Sequence, residues 1–185
     1  MAKPAGSACN LDCTYCFYLS KRTLPGGPGA GHMSDEVLDR FVKSYIESVT
    51  GDEVVFSWQG GEPTLLGLDF FRKVVAFQQR HAKGGQRIEN DLQTNGTMLD
   101  EDWARFLKQH RFLVGLSIDG PREIHDHYRI TKRAEPTFDK VFAAGPPASI
   151  LLYILAPEKM TGWPNPPTAE ERPFIAPAYR DLPAL

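Results

Sequence analysis

The 185-residue sequence predicts an α/β fold, a parallel sheet whose strands are joined by crossover helices. Three observations predict it. Segments with apolar residues at helical spacing alternate with short runs rich in β-branched and aromatic residues. The run from Phe112 to Ile118 is apolar, as strands buried in parallel sheets are. Polar, glycine-bearing motifs then recur directly after successive strands, at the edge where parallel α/β folds bind ligands. Periodicity leaves both an open doubly wound sheet and a partial barrel possible.

The elements follow in order. Ser34 can cap a helix whose first turn holds Asp35 and Glu36, with Val37, Leu38, Phe41, Val42, Tyr45 and Ile46 at helical spacing. Glu53 to Trp58 reads as a strand. Asp69 can cap a second helix through Phe71, Val74 and Val75 that ends near Gly84-Gly85. Arg87 to Thr94 is a weaker strand, and Asp100 can start a third helix with Trp103, Phe106 and Leu107 on its apolar face. Phe112 to Ile118 is the last clear strand. His125 and His127 are expected on a solvated loop. After Ala143 the chain carries nine prolines, a density that forbids regular helices and central strands. Only Ser149 to Leu155 could form a strand there, and the rest from Ala156 is expected to be loose. The predicted organisation is a core over residues 1–143 and a divergent proline-rich tail over 144–185.

Composition narrows the function classes. A formal net charge of -2 and the lack of a long basic run give no case for nucleic-acid binding. The longest apolar run, near Ile150 to Ala156, is far too short to span a bilayer. The N-terminal Met-Ala-Lys-Pro has no apolar stretch of the signal-peptide kind. A cytoplasmic protein is therefore expected. All three cysteines lie within the first sixteen residues, a poor disulfide framework and a good reason to expect a reducing compartment.

Cys9-Asn-Leu-Asp-Cys13-Thr-Tyr-Cys16 is the strongest chemical signal. Iron–sulfur clusters are held by thiolates at short spacings, because one loop must present each sulfur to a different iron. Three sulfurs can hold three irons of a four-iron cluster and leave the fourth with an open position, as catalytic metals need. Two other readings stay open. One is a zinc site of three cysteines and a histidine, with His32 as the nearest candidate. The other is three buried, unligated thiols, which the polar Asn10, Asp12 and Thr14 between them argue against.

Three motifs close successive strands: Gln59-Gly60-Gly61-Glu62-Pro63, Gln93-Thr94-Asn95-Gly96, and Ser117-Ile118-Asp119-Gly120-Pro121. The glycine pair lets backbone approach a ligand with no Cβ in the way. Glu62 offers a carboxylate that can accept from an amine, and Ser117 can hydrogen-bond a ribose hydroxyl, with Arg129 a short loop beyond. Each motif alone is ordinary turn chemistry, and Asp119 could be a simple cap. Their shared position after strands, together with the cysteine loop, is what points to a site.

With these residues in hand the chain resembles the radical S-adenosylmethionine superfamily, and within it the anaerobic sulfatase-maturating enzymes. The matching stretches are Lys3-Pro4-Ala5-Gly6 leading into Cys9 through Tyr18, Phe56 through Thr64, Leu92 through Leu99, Phe106 to Leu107, and Leu113 through Arg129. They span roughly residues 1–141. The resemblance implies the N-terminal portion of a partial (β/α) barrel, a [4Fe-4S] cluster and S-adenosylmethionine. It implies that the reduced cluster splits the sulfonium to give a 5'-deoxyadenosyl radical, which takes hydrogen from a Cys or Ser of an unfolded sulfatase polypeptide on the way to formylglycine. A flavodoxin or ferredoxin is the implied electron donor. Carried over by motif, Cys9, Cys13 and Cys16 ligate the cluster, and Tyr15 lies beside the cofactor. Gly60, Gly61 and Glu62 receive the methionine amino group. Ser117 and Arg129 face the ribose and carboxylate side, while Gln59, Gln93 and Asn95 line the same edge.

The departures are as specific. The family's late barrel strands, its cysteine-rich C-terminal domain and the acidic residue proposed there as base find no counterpart after residue 142, and Met1 falls close to the first cysteine. A truncated or frame-shifted member with a clipped opening strand is the expectation. Another peptide-modifying radical enzyme of the same branch, or a catalytically silent cluster-binding fragment, are the alternatives.

Overall fold

The computed structural model describes residues 1–19 and 32–143. The expected strand from Ser149 to Leu155 and the proline-rich tail lie outside the described residues.

The chain builds strand β1 (Glu53–Trp58), β2 (Arg87–Thr94) and β3 (Leu113–Leu116), and helices α1 (Asp35–Ser48), α2 (Gly67–His81), α3 (Glu101–Gln109), α4 (Arg122–Tyr128) and α5 (Phe138–Ala143). The sheet is parallel throughout, in the order β1-β2-β3. Ala2 extends it on the other side through a parallel bridge to Trp58, so the opening segment does contribute to the sheet. From Ala2 to β3 each new strand is added on the same side. That one-way order is a barrel's, whereas a doubly wound sheet reverses at its switch point.

Strand alternation sets the layers. Val54, Phe56 and Trp58 of β1, with Asn90, Leu92 and Thr94 of β2, point to the buried side. Their neighbours Val55, Ser57, Glu89, Asp91 and Gln93 face the other way and keep partial exposure, with Ser57 Oγ donating to Asp91 Oδ2 at 2.6 Å. The sheet is thus covered on one face among the described residues, and Arg87 to Thr94 reads only weakly as a strand because even its buried side carries the polar Asn90 and Thr94. The core is an aromatic cluster in which Trp58, Phe70, Phe71, Trp103, Phe106 and Phe112 pack with Leu38, Val42, Ile46 and Val74. Many ring pairs meet edge-on at centroid separations of 5–6 Å, such as Phe71 with Trp103 at 5.3 Å. A buried polar bracket runs beside it: Trp58 Nε1 and Gln78 Nε2 both donate to Asn90 Oδ1 at 2.8 Å.

The caps read from the sequence hold at two helices. Val37 N donates to Ser34 Oγ at 3.3 Å, and Trp103 N donates to Asp100 Oδ1 at 2.9 Å. The expected cap at Asp69 does not. A 3₁₀ turn over Pro63–Leu66 runs straight into α2, so Asp69 already lies in its first turn and pairs with Arg72 instead. His125 and His127 are not on a loop. They sit in α4, and the His125 ring is fully buried while His127 is exposed. Among the described residues no helix is long and apolar enough to cross a membrane.

Candidate functional site at the carboxyl edge of the sheet

The cysteine loop is clamped from both ends. Ahead of it, Ala2 N donates to Ser57 O at 2.7 Å, Gln59 N to Ala2 O at 2.9 Å, and Glu62 N to Ala8 O at 2.8 Å. Within and after it, Leu11 bridges Thr131, Asp12 N donates to Ile130 O and Thr14 N to Tyr128 O, each at 2.9 Å. The loop therefore lies across the carboxyl ends of the strands, between the turn after β1 and the segment after α4.

Glycine is required in that turn for a reason the sequence does not show. At Gly61, with φ of +51°, an added Cβ would stand 2.1 Å from the Ala8 carbonyl oxygen. At Gly60, with φ of +88°, it would stand 2.8 Å from Lys3 Cγ. The space a Cβ would take holds the backbone and side chain that lead into the cysteine loop, since the two must approach closely to form the Glu62–Ala8 bond.

The Glu62 carboxylate is likewise engaged by the chain itself. Its Oε1 accepts from Thr64 N at 3.0 Å, Thr64 Oγ1 at 2.6 Å and Thr94 Oγ1 at 2.7 Å, and Oε2 accepts from Asn95 N at 2.7 Å. The side chain is completely buried, and burial raises its pKa against the pull of those hydrogen bonds. Glu62 thus joins the turns after β1 and β2.

Beyond it a polar chain reaches the first cysteine. Asn95 Nδ2 lies 3.7 Å from Cys9 Sγ and 2.9 Å from Asn10 Oδ1, and Leu11 N donates to Cys9 Sγ at 3.4 Å. Asn10 Nδ2 donates in turn to Thr97 Oγ1 at 2.7 Å. Cys13 is buried, and Cys9 and Cys16 are partly so. Burial raises the Cys9 thiol and pushes the Cys13 thiol up to about 11, with the Arg129 charge opposing the shift at Cys13.

On the far side of the loop, Tyr15, Asp119 and Arg129 form a unit. The Tyr15 hydroxyl donates to Asp119 Oδ2, and Arg129 Nε stands 2.9 Å from Asp119 Oδ1 as a buried ion pair. Among the described residues neither of those two atoms has a further hydrogen-bond partner. The guanidinium also lies over the Tyr15 ring, 5.6 Å from its centroid. Burial opposes the charge on Arg129, but Asp119 and its neighbours prevail and raise its pKa. The Tyr15 hydroxyl is pushed up by burial, with Asp119 adding to the shift against Arg129. At the end of β3, Ser117 Oγ accepts from Gln93 Nε2 at 2.9 Å. Gly115 makes room for this, because a Cβ there would be 2.3 Å from Gln93 Oε1.

The structure therefore brings Cys9, Cys13, Cys16, Tyr15, Gly60, Gly61, Glu62, Ser117 and Arg129 to one edge. It adds two residues that sequence reasoning undervalued. Asp119, read as a cap or turn residue, anchors both Tyr15 and Arg129. His125 supports them from behind: Asp119 N donates to its Nδ1 at 3.4 Å, and its Nε2 lies 3.0 Å from Thr137 Oγ1.

The donor set can be tested against the metals considered. Among the described residues no three His, Cys, Asp or Glu side chains converge as a single ion requires. His32, the candidate fourth zinc ligand, is exposed. Zinc wants four converging ligands, whereas a four-iron cluster takes each thiolate to a different iron. The N–H donors aimed at Cys9 Sγ also suit a thiolate more than a thiol. The residues present fit the cluster.

Fold and site together define an α/β protein with a three-thiol centre at the carboxyl edge of parallel strands. Residues 4–145 match the family model of the radical SAM superfamily, and the chain belongs to that superfamily, whose members use a [4Fe-4S] cluster with S-adenosylmethionine. It is 49% identical over 141 residues to a cysteine-type anaerobic sulfatase-maturating enzyme of Clostridium perfringens, covering 76% of this chain and 38% of that protein. It is 45% identical over 141 residues to a serine-type anaerobic sulfatase-maturating enzyme of Bacteroides thetaiotaomicron, covering 76% and 34%. A solved structure of native anSMEcpe with bound AdoMet and a Kp18Cys peptide superimposes with a TM-score of 0.70 at 48% identity, over 77% of this chain and 37% of that one. The chain thus spans little more than a third of the length of these relatives.

Proposed function

We propose that residues 1–143 are the cofactor-binding core of an anaerobic sulfatase-maturating enzyme, and that 144–185 are a divergent tail. Cys9, Cys13 and Cys16 hold a [4Fe-4S] cluster with one iron open to S-adenosylmethionine. The pair, when bound, supplies the one-electron chemistry that starts hydrogen abstraction from a Cys or Ser of an unfolded sulfatase polypeptide. Tyr15 lies beside the cofactor and is held by Asp119. The Gly60-Gly61-Glu62 turn offers backbone groups to the methionine end, with the Glu62 carboxylate fixing the turn. Ser117 and Arg129 serve the ribose and carboxylate side. A low-potential flavodoxin or ferredoxin supplies the electron, and the thiols call for the reducing cytoplasm.

The observation that carries this reading is the docking of the three-cysteine loop onto the Glu62 turn through the Ala8 carbonyl. It is supported by the identity to maturases of both serine and cysteine type. Anaerobic iron–sulfide reconstitution tests it. Four irons per chain are expected, lost in Cys9→Ala, Cys13→Ala or Cys16→Ala. The reduced cluster's electron paramagnetic resonance signal should change on adding S-adenosylmethionine. An unchanged signal at saturating cofactor refutes the cofactor site.

A further inference from the structure

Asn95 follows β2 directly and is almost wholly buried. Three hydrogen bonds fix it. Its backbone N–H donates to Glu62 Oε2 at 2.7 Å, and its side-chain oxygen accepts from Thr97 N at 3.0 Å and Thr97 Oγ1 at 2.8 Å. Because a backbone N–H can only donate, the amide atom facing Thr97 is the oxygen, which assigns the nitrogen to the opposite side. That nitrogen points at the cysteine loop, 3.7 Å from Cys9 Sγ and 2.9 Å from Asn10 Oδ1. The amide is thus oriented by groups of the chain itself, Glu62 and Thr97.

We propose that Asn95 is a positioning residue acting through Cys9: its amide N–H, aimed by Glu62 and Thr97, raises the reduction potential of the cluster held by Cys9, Cys13 and Cys16. The inference rests on the reading of the site given above. When a low-potential donor adds one electron, taking the cluster from the 2+ to the 1+ state, no covalent bond of the chain breaks and the negative charge on the sulfurs grows. The Asn95 N–H stabilises the added charge at Cys9 Sγ, so it favours the reduced state over the oxidised one. Its length and its sharing with Asn10 Oδ1 keep the effect modest. A roughly threefold change in the reduced-to-oxidised ratio at fixed potential is expected, which is about 28 mV for a one-electron couple.

The test is a potentiometric titration of the reconstituted full chain, followed by the reduced cluster's paramagnetic signal. Asn95→Ala should lower the potential by about that amount, and Asn95→Asp, which keeps the oxygen facing Thr97 but loses the donor, should lower it further. Thr97→Val removes one of the two Thr97 bonds that aim the amide but keeps the donor and the Thr97 N–H, so it should lower the potential by less than Asn95→Ala does. A wild-type potential in an Asn95→Ala chain that holds four irons overturns the proposal. If that variant holds fewer irons, wild-type chain labelled with δ-15N-asparagine decides. Pulsed resonance should then show a weak nitrogen coupling that persists in Asn10→Asp. Its absence, or its loss in Asn10→Asp, overturns the assignment to Asn95. A wild-type chain that takes up no four-iron cluster overturns the reading of the site, and this inference with it.

Discussion

Glu62 is the residue on which the edge turns. Two backbone N–H groups, from Thr64 and Asn95, donate to different oxygens of its carboxylate. The hydroxyls of Thr64 and Thr94 can rotate, but those two N–H groups cannot. An amide has a single oxygen, so Glu62→Gln must leave one backbone donor facing an NH₂ in a dry site. The loss should be about 1.5–3 kcal/mol, the range for a buried hydrogen bond to a charged group. Urea unfolding of apo protein checks it, and a variant within 0.5 kcal/mol of wild type, roughly the scatter of harmless surface changes, would show that the carboxylate is not structural. This role was hidden in the sequence because two of its partners, Thr94 and Asn95, are 32 and 33 positions away. The three cysteines were legible because their signal is local, a spacing within one loop. The Gly60-Gly61 pair was legible as a special turn, but what occupies its Cβ side depends on Lys3 and Ala8, which only the fold brings there.

At the scale of elements, α1 and α3 follow from caps and periodicity, and β1, more strongly than β2, from its run of β-branched and aromatic residues. α4 does not. It has seven residues, no side-chain cap bond and two histidines among them, so neither amphipathic spacing nor a cap announces it. Its burial has a consequence for pH. Thr137 Oγ1 gives its one proton to Arg129 O at 2.6 Å, so it must accept from His125 Nε2, and Asp119 N donates to Nδ1. That pattern fixes a neutral ring. Burial first and the Arg129 charge second lower the His125 pKa, with Asp119 and Asp126 opposing. Above the ordinary histidine value, near pH 6.5, both folded and unfolded chains carry a neutral ring. Below it the unfolded chain takes up a proton that the folded chain refuses, so stability falls as pH falls until the lowered folded value is reached. His125→Gln should therefore show a flatter decline than wild type between about pH 7 and 5, in the window that the histidine reference value sets. Parallel declines in unfolding midpoints would show that His125 accepts the proton in the folded state.

At the scale of the whole molecule, the parallel sheet and the clustering of motifs at one sheet edge were foreseeable from alternation of elements. The choice of barrel over doubly wound sheet was not, because periodicity within a strand is blind to strand order. Among the described residues nothing pairs with the outer edge of β3, and Phe142 beyond it is half exposed. Hydrogen abstraction demands a tightly held target carbon, and an open cavity admits water. The 185-residue chain by itself is thus expected to cleave S-adenosylmethionine slowly, leaving the mass of a Cys- or Ser-bearing sulfatase peptide unchanged. Mass spectrometry after anaerobic incubation with reductant checks this, and stoichiometric conversion to the aldehyde would show that this third of the relatives' length suffices. The clamp on the cysteine loop has one more consequence. Leu11, Asp12 and Thr14 take their partners from residues 128–131, more than a hundred positions later. At about 5–20 residues per second the ribosome needs roughly 6–24 seconds to deliver them. For that interval the nascent chain carries three thiols whose loop is not yet closed by its later partners, and oxygen met then would find cysteines that the fold does not yet shield.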